Sequence, residues 1–304
     1  MTGTNVPRIA LVTGANQGLG RALVEGLAAR MGSDDQVLLT GRDQRRVTDA
    51  AREVERLPTT RALVRGRVLD VTDTDAIGRL ADELRARYGG VDVVISNAVA
   101  RLLPDESQAE RADEFIDVSN TATHAVLRDF GPVLRPGGRL LMVASSLGTL
   151  GHLDPRLHHL FDGASLDQVE YAVESWRNAV HHHTAEEAGW PRWLNVPSKV
   201  AQVAAVRAVA AERAVAAERR ERDLATGTLI ASVCPGMVAT ATSRPWFSDY
   251  SHAQSPASAA RAVLDLVFAE RVDPALYGEL IRFGKPLDWH RGTPPVEQDR
   301  VLTP

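Results

Sequence analysis

The chain has 304 residues, 44% of them hydrophobic, and a formal net charge of −4. That is enough apolar material for one large core and excludes global disorder, while the weak acidic balance points away from nucleic acid or an anionic membrane as the main partner. The one cysteine, Cys234, rules out an intrachain disulfide; no apolar run reaches membrane-span length and the N-terminal run is too short for a signal sequence, so a cytoplasmic protein is expected.

From the N-terminus, "RIALVTG" (8–14) is a short apolar run ending in glycine and reads as a buried strand, and 17–32 has helical spacing with a glycine stop. A second strand (36–43), a helix with a charged face (43–57), a third strand (64–73) and a helix (74–88) stopped by "YGG" come next. Then come a fourth strand (91–98), a long helical stretch (106–130) and a fifth strand (137–146). Residues 149–193 break this rhythm with two short helices (155–162 and 166–187). A long alanine-rich helix (197–223), a sixth strand (227–236), a helix (256–270) and a last strand near 276–283 complete the chain. Strictly alternating strands and helices predict an α/β fold with a doubly wound, mostly parallel sheet of Rossmann-like type. No linker or second core is visible, so 1–304 reads as one domain. The irregular segment 149–193 then reads as a helical insertion over the active site, at the carboxyl end of the sheet where open α/β folds bind ligands.

"TGANQGLG" joins the first strand to the first helix. Gly14, Gly18 and Gly20 allow a tight turn and close approach of a pyrophosphate, and the helix start offers free N–H groups and the positive end of its dipole. Asn16, Gln17 and Leu19 complete this candidate nucleotide loop. The T-G-x-x-x-G-x-G spacing, together with the motifs downstream of it, resembles the short-chain dehydrogenase/reductase family, and most closely its monomeric carbonyl-reductase branch, which carries a helical insertion before its catalytic tyrosine. The resemblance covers nearly the whole chain. An acidic residue at the tip of the second strand would select NAD; "TGRD" has Gly41 and Arg42 there instead, and Arg42, assisted by Arg46, suits the 2′-phosphate of NADP(H). The resemblance further assigns Asp70 and Val71 to the adenine side, Asn97 to the end of the fourth strand, and Pro235, Gly236, Val238 and Thr240 of "CPGMVAT" to the nicotinamide side. The fourth strand ends in "SNAV" where the family usually has N-N-A-G, so Ser96 and Val99 depart from the pattern.

Family chemistry couples hydride transfer to proton transfer from a tyrosine whose pKa is lowered by a lysine four residues on. Ser145 fits the substrate-holding serine, with Ser146 as runner-up, and Lys199 fits the lysine, which also binds the nicotinamide ribose. The residue four before Lys199 is Asn195, and "GWP" at 189–191 holds the register without a gap. An amide gives up no proton near neutral pH, and loss of acid–base help costs about 10² to 10⁴ in rate. A structural reading of Asn195, as the cap of the long helix with Pro197 in its first turn, is compatible with that loss. The family's supporting asparagine falls at Ser119, with Asn120 one residue away. His152, nearest in sequence to Ser145 among the histidines of the insertion, is the first candidate for a replacement proton source; Asp154 and Asp162 are weaker ones. Three adjacent histidines, 181–183, point in different directions on a helix and make no metal site. Leu150, Leu153, Leu160, Phe161, Trp176, Trp190, Trp193, Trp246 and Phe247 either wall a pocket for a bulky, apolar small molecule or, as the favoured reading for most of them, pack the insertion on the body of the fold.

Three functions fit these residues. One is an atypical NADP(H)-dependent carbonyl reductase or alcohol dehydrogenase. Another is a non-redox enzyme on the same scaffold, a cyclase, isomerase or dehydratase with NADP⁺ as a fixed group. The third is an NADP(H)-binding protein without turnover. The insertion resembles one that covers the family's dimerisation face, so a monomer is expected.

Overall fold

The computed structural model describes residues 6–215, 217–246 and 249–292. Phe247 lies outside the described residues. Short β-branched and leucine-rich runs form the strands β1 (Ile9–Val12), β2 (Gln36–Gly41), β3 (Leu63–Val68), β4 (Val91–Ser96), β5 (Leu134–Val143), β6 (Leu229–Cys234), β7 (Leu280–Arg282) and β8 (Lys285–Pro286). They make one sheet in the order β3-β2-β1-β4-β5-β6-β7-β8. All pairs are parallel except the last, in which β8 folds back on β7. The strand order reverses between β1 and β4, and the crevice above that point is where a doubly wound sheet takes its ligand.

Alternation along the strands splits the core in two. Ile9 and Leu11 of β1 face one apolar layer, and Ala10 and Val12 face the other. Helices α1 (Gly18–Arg30), α2 (Gln44–Glu55) and α9 (Pro256–Val267) cover the second layer, with Gly26 letting α1 approach α9 so closely that a Cβ would lie 2.2 Å from Leu264. On the first layer lie α3 (Thr74–Tyr88), α4 (Gln108–Ile116), α5 (Ala122–Val133), α6 (Leu166–His181) and α7 (Asn195–Val215). The expected helical stretch at 106–130 is not one regular helix: a turn of π-helix, Asp117–Thr121, separates α4 from α5.

Helix is described over the expected 197–223 as α7 and α8 (Ala217–Thr226). A straight helix would set residues ten apart about 15 Å along its axis. Arg213 instead makes two bonds to Asp223, at 2.8 and 3.0 Å, with the Tyr277 hydroxyl donating to the same carboxylate at 2.8 Å, so the chain turns between them. Helix α7 also begins two residues earlier than expected. Leu194 supplies its first carbonyl, accepting from Ser198 N at 3.2 Å, which puts Asn195 inside the first turn and not at the cap.

Of the insertion 149–193, Trp193 is the residue that lines the cleft. The insertion's main helix, α6, opens with a Ser165–Gln168 capping box and packs on α4 and α7 in the outer layer. Arg177 ties it to Asp113 and Asp117, and Arg128 of α5 reaches Asp167 and Glu170. Phe161, Trp176 and Trp190 pack against one another within that layer. They are core, as are Leu150, Leu153 and Leu166. No helix among the described residues is long and apolar enough to cross a membrane.

Candidate active site

A cleft of about 920 Å³ runs along the carboxyl ends of β1, β2, β4, β5 and β6. Its floor is the glycine turn. Gly14 holds φ +61° and Gly18 φ +58°, values that suit glycine. A Cβ on Gly20 would sit 2.5 Å from the Asn97 amide and 2.6 Å from the Gly14 carbonyl, so the turn has no room for a side chain there. Asn97 fastens the tip of β4 to this turn: its backbone N–H donates to Thr13 Oγ1 at 2.8 Å and its amide to the Thr13 carbonyl at 3.0 Å. Gln17 precedes α1 without capping it, which leaves the first N–H groups of a 13-residue helix to a ligand.

Arg42 and Arg46 stand at one end of the cleft. Arg42 is largely exposed and 3.4 Å from Glu114. Arg46 donates to the Gln17 side chain at 2.5 Å, and the Asn16 amide oxygen accepts from its guanidinium at 3.2 Å in the orientation that satisfies both groups. The neighbouring carboxylate, Asp43, is engaged as the cap of α2, accepting from Arg46 N at 2.8 Å. Asp70 also lines the cleft, accepting from the Thr72 N–H and hydroxyl, and Val71 packs beside it. Across the cleft the turn after β6 is pinned by Gln254, which donates to the Pro235 carbonyl at 3.0 Å and bridges to Val238. That turn brings Thr240 over Gly18, where a Cβ would lie 3.6 Å from its methyl group. Glycine loop, basic end and the 235–240 turn fit a phosphorylated dinucleotide.

Beyond them the cleft holds Ser145, Ser146, Asn195 and Lys199. Ser145 Oγ accepts from Leu147 N at 3.3 Å, which leaves its O–H for another partner. Lys199 lies one turn after Asn195 on the same face of α7. Its Nζ donates to Gln202 Oε1 at 2.8 Å and to the Val143 carbonyl at 3.4 Å. Burial pushes its pKa down to about 8, with the nearby Cys234 thiol pulling the other way. The wall past these groups is apolar: Leu102, Leu147, Met237, Trp193 and Trp246. Trp193 and Trp246 pack with ring planes tilted by 37° and centroids 5.6 Å apart, and the Trp246 indole N–H is tied to the Leu102 carbonyl at 3.0 Å.

Comparison with known proteins agrees with this architecture. A family model described as short chain dehydrogenase matches residues 8–154. Carbonyl reductase [NADPH] 3 of Homo sapiens is 32% identical over 244 residues, covering 77% of this chain and 82% of that protein. The chain belongs to the short-chain dehydrogenase family. It is similar also to carbonyl reductase [NADPH] 1 of Sus scrofa, at 28% identity over 298 residues, 95% of this chain and 96% of that one. Salutaridine reductase of Papaver somniferum shares the fold with a TM-score of 0.73 at 20% identity, over 90% of this chain and 99% of that one. Menthone neomenthol reductase of Mentha piperita gives 0.70 at 19%, over 92% and 99%. The chain is thus an oxidoreductase of the short-chain type.

Several expected residues of this dehydrogenase are not at the cleft. His152 does not line it; the ring is half-buried and shares a 2.9 Å hydrogen bond with Thr149, and burial lowers its pKa. Ser119 and Asn120 are fully buried behind the cleft wall, in the π turn. Asn120 donates to the Ser198 carbonyl at 3.0 Å, and the Ser119 hydroxyl has no partner among the described residues. Asp154 is engaged by Arg156, and Asp162 accepts from the Trp289 indole. No described tyrosine lines the cleft: Tyr171 is exposed on α6, and Tyr277 is held by Asp223, where burial pushes it up to about 12. Sequence reasoning missed Gln202. A lone amide three residues after a lysine, within the apolar "VAQVAAV", was the available signal.

Proposed function

We propose that this protein is an atypical NADP(H)-dependent reductase of carbonyl groups on bulky, apolar substrates. One observation carries the reading: a single cleft joins the glycine turn, Arg42 and Arg46, the pair Ser145 and Lys199, and the tryptophan-walled apolar end. Such an arrangement orients a ketone beside a nicotinamide, with the wall burying its apolar part. Bound NADPH would supply the hydride. Gly14, Gly18, Gly20 and Asn97 would hold or shape its pyrophosphate site, Arg42 and Arg46 its 2′-phosphate, and Asp70 and Val71 the adenine side. Pro235, Gly236, Val238 and Thr240 would flank the nicotinamide. Ser145 donates to the substrate oxygen. Asn195 stands one helical turn before Lys199, where the family's phenol would be, and orients without giving a proton. The names of the mammalian relatives, which include NADPH, support the choice of cofactor. We read the chain as a monomer, because α6 covers the outer face of α4 and α7; sedimentation as a stable tetramer would contradict that.

The test is NADPH consumption, followed at its own absorbance, against a panel of aromatic ketones and quinones. Turnover at enzyme-like rates supports the reading. A second reading, a non-redox cyclase, isomerase or dehydratase or a binding protein without turnover, draws on the lack of a described tyrosine at the cleft. It prevails if the parent never consumes NADPH while Asn195→Tyr does.

A further inference from the structure

With no described phenol at the cleft, the proton must come from another group. The chain contains only two lysines, Lys199 and Lys285, among 35 lysines and arginines. Arginine serves almost everywhere a fixed positive charge is needed, and it does not release its proton in water. Lys199 is the lysine at the cleft.

Its setting is unusual in one respect. Gln202 is buried, and its amide N–H₂ donates to the Ser119 carbonyl at 2.5 Å and to Thr123 Oγ1 at 3.2 Å. Thr123 in turn donates to the same carbonyl at 2.7 Å. Both acceptors lie on the π turn and the start of α5, so the amide nitrogen is committed to that side. The amide oxygen must then face Lys199, where it accepts at 2.8 Å. An ammonium group has three N–H donors. Gln202 Oε1 and the Val143 carbonyl take two, and the third remains for the cleft. The groups touching Nζ from α7 and β5 are neutral, and the Cys234 thiol on β6 is the titratable neighbour that acts on it. Among the described residues no carboxylate anchors the charge.

We propose, resting on the reductase reading above, that Lys199 is itself the proton donor to the substrate oxygen and that Gln202 is the positioning residue that holds it for this task. In the reduction the carbonyl carbon gains the hydride that NADPH supplies, and the oxygen gains the Nζ proton. The products are the alcohol, NADP⁺ and a neutral lysine, which regains its proton from solvent water.

The test uses the full chain carrying lysine labelled with ¹³C at Cε. Two lysines give two resonances, and Lys285→Arg assigns them. The Lys199 midpoint is followed by NMR in the cofactor-free protein, where turnover plays no part. Gln202→Leu removes an acceptor of the charged form and should lower the midpoint by about one pH unit. Gln202→Glu places a carboxylate there and should raise it by about 1 to 3 units; a melting curve on each variant identifies one that fails to fold, leaving the other to carry the test. In parallel, kcat at saturating NADPH is measured against pH with an active ketone. If Lys199 gives the proton, the alkaline fall of kcat follows the NMR midpoint down in Gln202→Leu and up in Gln202→Glu, and Cys234→Ala keeps that fall.

Midpoints that ignore both Gln202 variants overturn the role of Gln202. Midpoints that move while the kcat profile stays still overturn Lys199 as donor and leave the reductase reading standing. Loss of the alkaline fall in Cys234→Ala would assign the proton to the thiol and overturn the proposal. NADPH binding with no turnover on any carbonyl overturns the reductase reading, and the donor role with it.

Discussion

His124 offers the sharpest link between a buried group and a measurable pH dependence. It lies in α5 beneath α6, 3% exposed, with Nδ1 3.9 Å from Glu170 and Nε2 without a partner among the described residues. Burial, aided by the Arg128 charge, pushes its pKa down from 6.5 to about 4. The unfolded chain therefore binds more protons than the folded one between these two values, so stability rises with pH across that window and is fully penalised below about pH 4. The gap of 6.5 − 4 = 2.5 units corresponds to about 3 kcal/mol in full, of which about 2 kcal/mol is already lost at pH 5. Urea unfolding at pH 7 and pH 5 measures the loss. In His124→Leu the imidazole is gone, and the loss between the two pH values should shrink by about 2 kcal/mol relative to the parent. Other titrating groups are shared by both proteins and cancel in this double difference. Equal losses in parent and variant would refute the assignment of the acid sensitivity to this ring.

Three further outcomes are expected from the geometry. Arg42→Ala should weaken NADPH binding about 10- to 100-fold, the value of a charge-assisted phosphate contact, while NADH changes little; fluorescence titration of the tryptophans reads both, and equal loss would refute the 2′-phosphate assignment. Asp223→Ala strands the buried Arg213 guanidinium and takes the acceptor from Tyr277, which should cost about 3–5 kcal/mol in urea unfolding. His152→Ala should leave turnover within about twofold of the parent, because the ring bonds Thr149 away from the cleft; a loss of about 10² or more, the scale of general acid catalysis, would restore it as the proton source.

Periodicity and turn chemistry made the scaffold legible, because they are local. The run Ile9–Val12 and the αL glycines at 14 and 18 are each specified by a few adjacent residues. The glycine turn between β1 and α1 was legible for the same reason. At 197–223 alanine-rich propensity accounts for the helix, but it says nothing about a contact between Arg213 and Asp223 that only a bend allows. Likewise, the aromatic residues of the insertion were visible in sequence, but the layer they join is a matter of long-range packing, with Arg177 and Arg128 reaching across helices at that contact. Trp193 alone of that segment reaches the cleft.

The catalytic end shows the limit most clearly. The spacing of Asn195 and Lys199 places both on one helical face whatever the rest of the fold does. Which group gives the proton is a matter of three-dimensional partners. The histidines drew attention because imidazole titrates near neutrality in water, yet a side chain's suitability depends on where it sits. A lysine with an ordinary pKa holds its proton too firmly to be an efficient acid at pH 7; one desolvated in a cleft, with no carboxylate to anchor its charge, is moved toward the range where donation and recovery are both fast. Gln202 meets Ser119 and Thr123 across 83 and 79 residues of chain, which aims its amide oxygen at Lys199, and it is the register of α7 against the π turn, not any motif, that brings them together.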